Sequence, residues 1–60
     1  MISLDDQIAA VDREIGMREK SYPRWVKDRK LTQKTADQEL ARMRAVRESL
    51  LELKRIKAGE

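Results

Sequence analysis

Two apolar stripes, which mirror each other about the middle of the chain, constrain its fold more than any other feature. Both repeat at steps of three and four residues, the spacing that places side chains on one face of an α-helix. The first consists of Leu4, Ile8, Val11, Ile15, Tyr22 and Trp25, and the second of Ala36, Leu40, Met43, Val46, Leu50, Leu53 and Ile56. A reversal near Lys30 brings the stripes face to face. The sequence therefore predicts an all-α fold, a two-helix antiparallel hairpin that resembles a coiled coil.

The same pattern sets the expected register of the hairpin. The pairs that face each other are Ile8 with Leu53, Val11 with Leu50, Ile15 with Val46, and Tyr22 with Leu40. Arg18 interrupts the first stripe opposite Met43. Glu14 precedes Arg18 by one helical turn, a spacing at which ion pairs form along a helix, and this local pair is expected. Glu39 of a second subunit is the alternative partner of Arg18.

The chain is expected to form a single domain over residues 1–60, since its length leaves room for only one. Helix 1 is predicted over about residues 4–29 and helix 2 over about residues 33–57. Ser3 and Thr32 are the expected N-caps, because a hydroxyl accepts a hydrogen bond from an amide that otherwise lacks a partner in the first turn.

Two residues are expected to weaken helix 1. Pro23 has no N–H group for the carbonyl of Glu19, so we expect a kink or a short break there. Gly16 lies inside the helix, where glycine costs about 1 kcal/mol relative to alanine. Gly16 is either a tolerated weakness or a place where another helix approaches closely.

The size of the chain favours self-association. A single core in a chain this short seldom supplies more than about 3–5 kcal/mol, and the 60 residues include no cysteine or histidine for a disulfide or zinc site. We therefore expect a homodimer that forms a four-helix bundle. Its predicted interface consists of apolar and small residues outside the two stripes, Gly16, Met17, Ala41, Ala45 and Leu51. The alternative for the alanines is that they are ordinary surface residues of a helix.

The composition argues against an enzyme. Acid–base catalysis requires a titratable group in a concave, partly desolvated site, and a hairpin offers little concavity. The sequence predicts no metal and no cofactor, since histidine, cysteine and a glycine-rich phosphate loop are absent. No apolar run approaches the ~18–20 residues of a membrane span, and no signal-peptide pattern begins the chain. A soluble, cytoplasmic protein without a membrane partner is expected.

The best candidate site is the elbow of the hairpin, the segment over residues 22–30. Seven basic residues stand against two acidic ones between residues 18 and 34. The candidate contact residues are Tyr22, Arg24, Trp25, Lys27, Arg29 and Lys30. Aromatic and basic side chains together suit an acidic protein surface or single-stranded nucleic acid. The simpler interpretation is that the two aromatic rings plug the tip of the hairpin.

A pattern over about residues 8–50 is most specific at Tyr22-Pro23-Arg24 and Lys30-Leu31-Thr32. In this pattern the chain resembles a group of small phage and prophage proteins from Mu-like and other temperate phages. The chain departs from the group at Arg29, where the group usually has glycine, a residue that adopts a left-handed turn at little cost. We therefore expect that another residue takes the turn or that the turn is different.

This resemblance implies a helical hairpin that acts by binding. The expected function is the binding, and the modulation or inhibition, of a host bacterial protein such as a regulator or a defence component. The resemblance assigns no role to individual residues. A nucleic-acid-binding accessory protein that uses the elbow is the alternative, and a component of virion assembly is a further one.

Overall fold

The computed structural model describes residues 1–59 of the chain. It contains two long helices, α1 over Leu4–Lys27 and α2 over Gln33–Ala58, which pack against each other as an antiparallel hairpin. The hairpin measures 48 × 18 × 15 Å, so that it is a rod two helices wide. The prediction of an all-α helical hairpin is confirmed.

Both helices begin at the predicted caps. The hydroxyl of Ser3 accepts a hydrogen bond from the amide of Asp6 at 3.1 Å, and the hydroxyl of Thr32 accepts one from the amide of Thr35 at 3.1 Å. Asp5 and Asp6 lie in the first turn of α1, where the helix dipole favours negative charge. Short polar side chains thus fix where each helix starts.

Helix α1 continues through Pro23 and ends at Lys27. The sequence predicts a kink or a short break at Pro23, and the break is wrong because the helix is continuous there. The predicted end near residue 29 is also two residues late. Pro23 is exposed, and its ring leaves the carbonyl of Glu19 without the usual amide partner.

The reason for the early end is a left-handed residue, Arg29, with a φ of 61°. The amide of Lys30 donates to the carbonyl of Trp25 at 2.9 Å, and the amide of Arg29 donates to the carbonyl of Val26 at 3.1 Å. These two bonds define a Schellman motif, in which glycine usually occupies the left-handed position. The expectation that the arginine displaces or changes this turn is wrong, because Arg29 itself adopts the glycine conformation.

The core is a single line of contacts. Only Ile15, Tyr22 and Ala36 are buried among the described residues, with Ala36 2% exposed. On α2, the residues that follow Ala36 along the buried side recur every four and three residues. These partly buried residues are Leu40, Met43, Arg47 and Leu50. This is the seven-residue repeat of a coiled coil, and it forms the seam of α2.

The predicted stripe of helix 2 departs from this seam in its second half. Val46, Leu53 and Ile56 are 47%, 41% and 52% exposed, so the expectation that they face helix 1 is wrong. Arg47 takes the position that the hydrophobic pattern assigned to Val46. Trp25, at the end of the first stripe, is also 43% exposed. The backbone follows the seven-residue repeat even where it brings a charged residue to the edge of the core.

We expect the variant Arg29→Gly to stabilise the hairpin by about 0.5–1 kcal/mol, because glycine adopts a positive φ without the steric cost of a Cβ atom. The measurement is the free energy of urea unfolding, followed by far-ultraviolet circular dichroism. Arg29→Ala is the matched control, since it removes the same charge but keeps the Cβ atom. An equal gain in both variants would show that charge, and not backbone strain, limits stability at this turn.

Candidate functional site

The two long sides of the hairpin differ in chemistry. One side, which we call the ion-pair flank, carries three ion pairs between the helices. They are Asp5 with Lys54 at 2.7 Å, Asp12 with Arg47, and Glu19 with Arg44 at 3.7 Å. These pairs are solvent-exposed, so each contributes at most about 1 kcal/mol to stability. Their main effect is that the charged groups of this flank already have partners of opposite charge within the chain.

The other side, the apolar flank, carries large hydrophobic side chains that the hairpin leaves exposed. Its members are Met17 and Trp25 on α1, and Val46 and Leu53 on α2, all between 41% and 56% exposed. Trp25 follows Arg18, and Val46 and Leu53 follow Glu39, at intervals of seven residues, so each set lies along one line of its helix. The pair Arg18–Glu39, at 3.7 Å, joins the two lines across the groove.

A small charge network crosses the middle of the apolar flank. Arg18 lies 3.6 Å from Glu14 and 3.7 Å from Glu39, and Glu39 also accepts a hydrogen bond from Arg42 at 2.7 Å. The expected local pair of Arg18 with Glu14 is confirmed. Glu39 is a partner as well, but it belongs to the same chain and not to a second subunit.

At the elbow, the two aromatic residues have different surroundings. Tyr22 is only 8% exposed, while Trp25 is 43% exposed. Their ring centroids lie 5.7 Å apart with a 42° angle between the planes, a favourable tilted arrangement. Tyr22 therefore fills the space between the helices at the tip of the hairpin, and its ring packs against the ring of Trp25. An open depression of about 450 Å³ lies beside them, bordered by Met17 and Glu39.

The basic residues of the elbow have no ion-pair partner among residues 1–59. Arg24, Lys27, Arg29 and Lys30 are all exposed. No carboxylate of residues 1–59 lies within 4.0 Å of any of their charged groups. The arginines farther along α2 differ, since Arg42, Arg44, Arg47 and Arg55 each pair with an acidic residue. The elbow therefore carries unbalanced positive charge beside the exposed ring of Trp25.

The residues predicted for the dimer interface do not share one surface. Gly16 borders a depression on the ion-pair flank, beside Asp12 and Arg47, whereas Met17 borders the one on the apolar flank. Ala41 and Ala45 are exposed and lie about 200° around α2 from the seam residue Met43. The last member, Leu51, is partly buried. Only Met17 belongs to the apolar flank.

The sequence pattern contained a signal for the apolar flank, which the search for hydrophobic positions missed. A strict repeat of seven residues leads from Ala36 to Met43 and Leu50 and from Leu40 to Arg47, which assigns Arg47 to the seam and leaves Val46 and Leu53 beside it. Following hydrophobic residues alone instead shifts the stripe by one position after Met43. The exposed residues of the flank are therefore visible in the spacing, provided that a charged residue is accepted at the edge of the seam.

The described residues offer neither a metal site nor a membrane span. Residues 1–59 contain no group of three or more side chains that could hold a metal ion. Over the same residues, neither helix has a stretch that is long and apolar enough to cross a bilayer. The prediction that the chain is not an enzyme stays a prediction.

Comparison with family models finds none that matches this chain, and searches of curated proteins and of solved structures likewise find no match. The resemblance to small phage proteins therefore stays a prediction. Function has to be argued from the surfaces of the hairpin itself.

We expect Gly16→Ala to stabilise the hairpin by about 0.5–1 kcal/mol. A Cβ atom built at Gly16 meets no atom within 4 Å, so the methyl group costs no strain while glycine's extra freedom in the unfolded chain is removed. Urea unfolding measures the gain, and Gly16→Ser, with its weaker helix propensity, should give a smaller one. Sedimentation of both variants tests the predicted interface role, since a close helix contact at Gly16 would make Gly16→Ala weaken self-association.

Proposed function

We propose that the hairpin is a protein-binding module that uses its elbow to bind an acidic surface of another protein. The observation that carries this proposal is the exposed ring of Trp25 beside four exposed cations without partners among residues 1–59. Tryptophan and arginine are enriched among the residues that dominate binding energy at protein interfaces. Unpaired cations attract an acidic partner and raise the rate of encounter with it.

The rigidity of the elbow supports the same function. Tyr22 packs beneath Trp25, and the Schellman turn at Arg29 fixes the path of the backbone between the helices. A contact surface that is ordered before binding loses less conformational entropy when the complex forms. The elbow therefore presents a preorganised combination of one aromatic anchor and surrounding positive charge.

The partner class that we propose is a host bacterial protein, either a regulator or a defence component, whose activity the hairpin modulates or inhibits. This part of the proposal follows from the resemblance to small phage proteins and places the protein in the cytoplasm of the bacterial host. The charge at the elbow supports a partner with an acidic contact surface.

We expect the double variant Arg24→Ala, Lys27→Ala to weaken partner binding at least about tenfold, because it removes two of the unpaired cations. A tagged chain is used to capture proteins from a bacterial lysate, and the affinity of each captured protein is then measured with the purified components. Trp25 is left unchanged in this test because it also belongs to the apolar flank.

The matched control is Arg13→Ala, Lys57→Ala. Arg13 and Lys57 are exposed cations outside the elbow, and the control changes the net charge by the same amount. The proposal requires a partner that binds the wild type and the control equally well and the elbow variant weakly. Equal binding by both variants would place the contact elsewhere, and binding that does not involve an acidic surface would remove the charge argument.

The unpaired cations also favour a second candidate function, the binding of single-stranded nucleic acid, because phosphates attract the cations and Trp25 offers a face for base stacking. In this case the wild type should bind a labelled single-stranded DNA in an anisotropy titration. The logarithm of the association constant should fall with the logarithm of the salt concentration, at about −0.7 per phosphate contact. The elbow variant should bind more weakly than the control. Absence of binding at low salt would exclude this candidate.

A further inference from the structure

The hairpin exposes more surface than a folded chain of its mass usually does. A compact monomer of 7.0 kDa is expected to expose about 4,000 Å², whereas this chain exposes 4995 Å². The excess, roughly 1,000 Å², is similar to the ~800 Å² that each partner buries in a protein–protein interface of standard size. The hairpin thus has surface available for an interface of that size.

The surplus apolar surface is concentrated on one side. Apart from Met1, Ile2 and Ile56, the exposed large hydrophobic residues are the four members of the apolar flank. The ion-pair flank, by contrast, has its charged groups matched within the chain. A partner that removes apolar surface from water therefore gains most by covering the apolar flank.

The charges on the apolar flank indicate the kind of partner. The network at its centre contains two acidic and two basic residues, Glu14, Arg18, Glu39 and Arg42, and so carries no net charge. A surface with both signs side by side is able to complement a copy of itself, because a two-fold axis can set acid against base and apolar residues against apolar residues. A strongly charged partner, such as a nucleic acid, gains no electrostatic attraction from this neutral network.

We propose that a second copy of this chain covers the apolar flank, so that two hairpins form a four-helix bundle. The new interface contains Met17 and Trp25 from α1 and Val46 and Leu53 from α2. It shares only Met17 with the interface that the sequence predicts. The four elbow cations are not part of the flank, but Trp25 belongs to both surfaces, so a dimer that buries its ring leaves the elbow with its cations as the contact for an acidic protein.

The test compares the oligomeric state of the wild type with that of charged variants. In sedimentation equilibrium the wild type should have twice the chain mass of 7.0 kDa. Val46→Glu and Met17→Glu should each raise the dissociation constant by about a hundredfold or more, because an unpaired carboxylate would be buried in the interface. Using one variant on each helix keeps the test informative if either variant folds poorly.

Ala45→Glu is the matched control, since it introduces the same charge on α2 outside the apolar flank. It should leave the dissociation constant within about twofold of the wild-type value, because its carboxylate stays in water. The single tryptophan supplies a second measurement. Trp25 emission should shift to shorter wavelength as the dimer forms, and this shift should be lost in Val46→Glu but kept in Ala45→Glu.

Three results would each overturn the proposal. One is a wild type that sediments as a 7.0 kDa species at the highest concentrations reached. The second is a dimer that Ala45→Glu dissociates and Val46→Glu does not, since this would place the interface on the outer side of α2. The third is a dimer that Val46→Glu and Met17→Glu both leave intact. None of these results depends on whether a host protein binds the elbow.

Discussion

The packing of α1 against α2 along one narrow seam holds this structure together, because neither helix packs against any other element within the described residues. The seam buries Ile15, Tyr22 and Ala36 and only partly covers the residues between them. Most of the stability of a helix in a protein comes from the packing of its apolar face and not from its intrinsic propensity, so this packing is what makes α1 and α2 persist. Every surface that we assign to binding is a side that the seam leaves uncovered.

The elbow and the apolar flank are suited to different kinds of partner. The elbow is ordered by local interactions, the Schellman turn at Arg29 and the contact of Tyr22 with Trp25, and it carries charge that nothing within residues 1–59 balances. The apolar flank carries little unbalanced charge but a large hydrophobic area. An electrostatic partner and an apolar partner therefore have separate places to bind on one small hairpin, with Trp25 at the border of the two.

Much of the fold could be predicted because helical signals are local. Steps of three and four residues identify both helices, and the hydroxyls of Ser3 and Thr32 fix their starts. The end of α1 was harder to predict, since nothing about an arginine indicates a left-handed backbone. The elbow was identified from composition, but the sequence pattern did not distinguish the buried ring of Tyr22 from the exposed ring of Trp25. That difference depends on which residues α2 places opposite each ring.

The sequence by itself determined the number of helices, their starting points and the concentration of positive charge at the turn, because each depends on side chains close together along the chain. Only the tertiary structure decided the rotation of α2 about its axis. Placing Arg47 beside Asp12 in the seam turns Val46 and Leu53 outward, and that rotation creates the apolar flank. A rotation of this kind depends on how both helices pack together, so the hydrophobicity of one helix does not specify it.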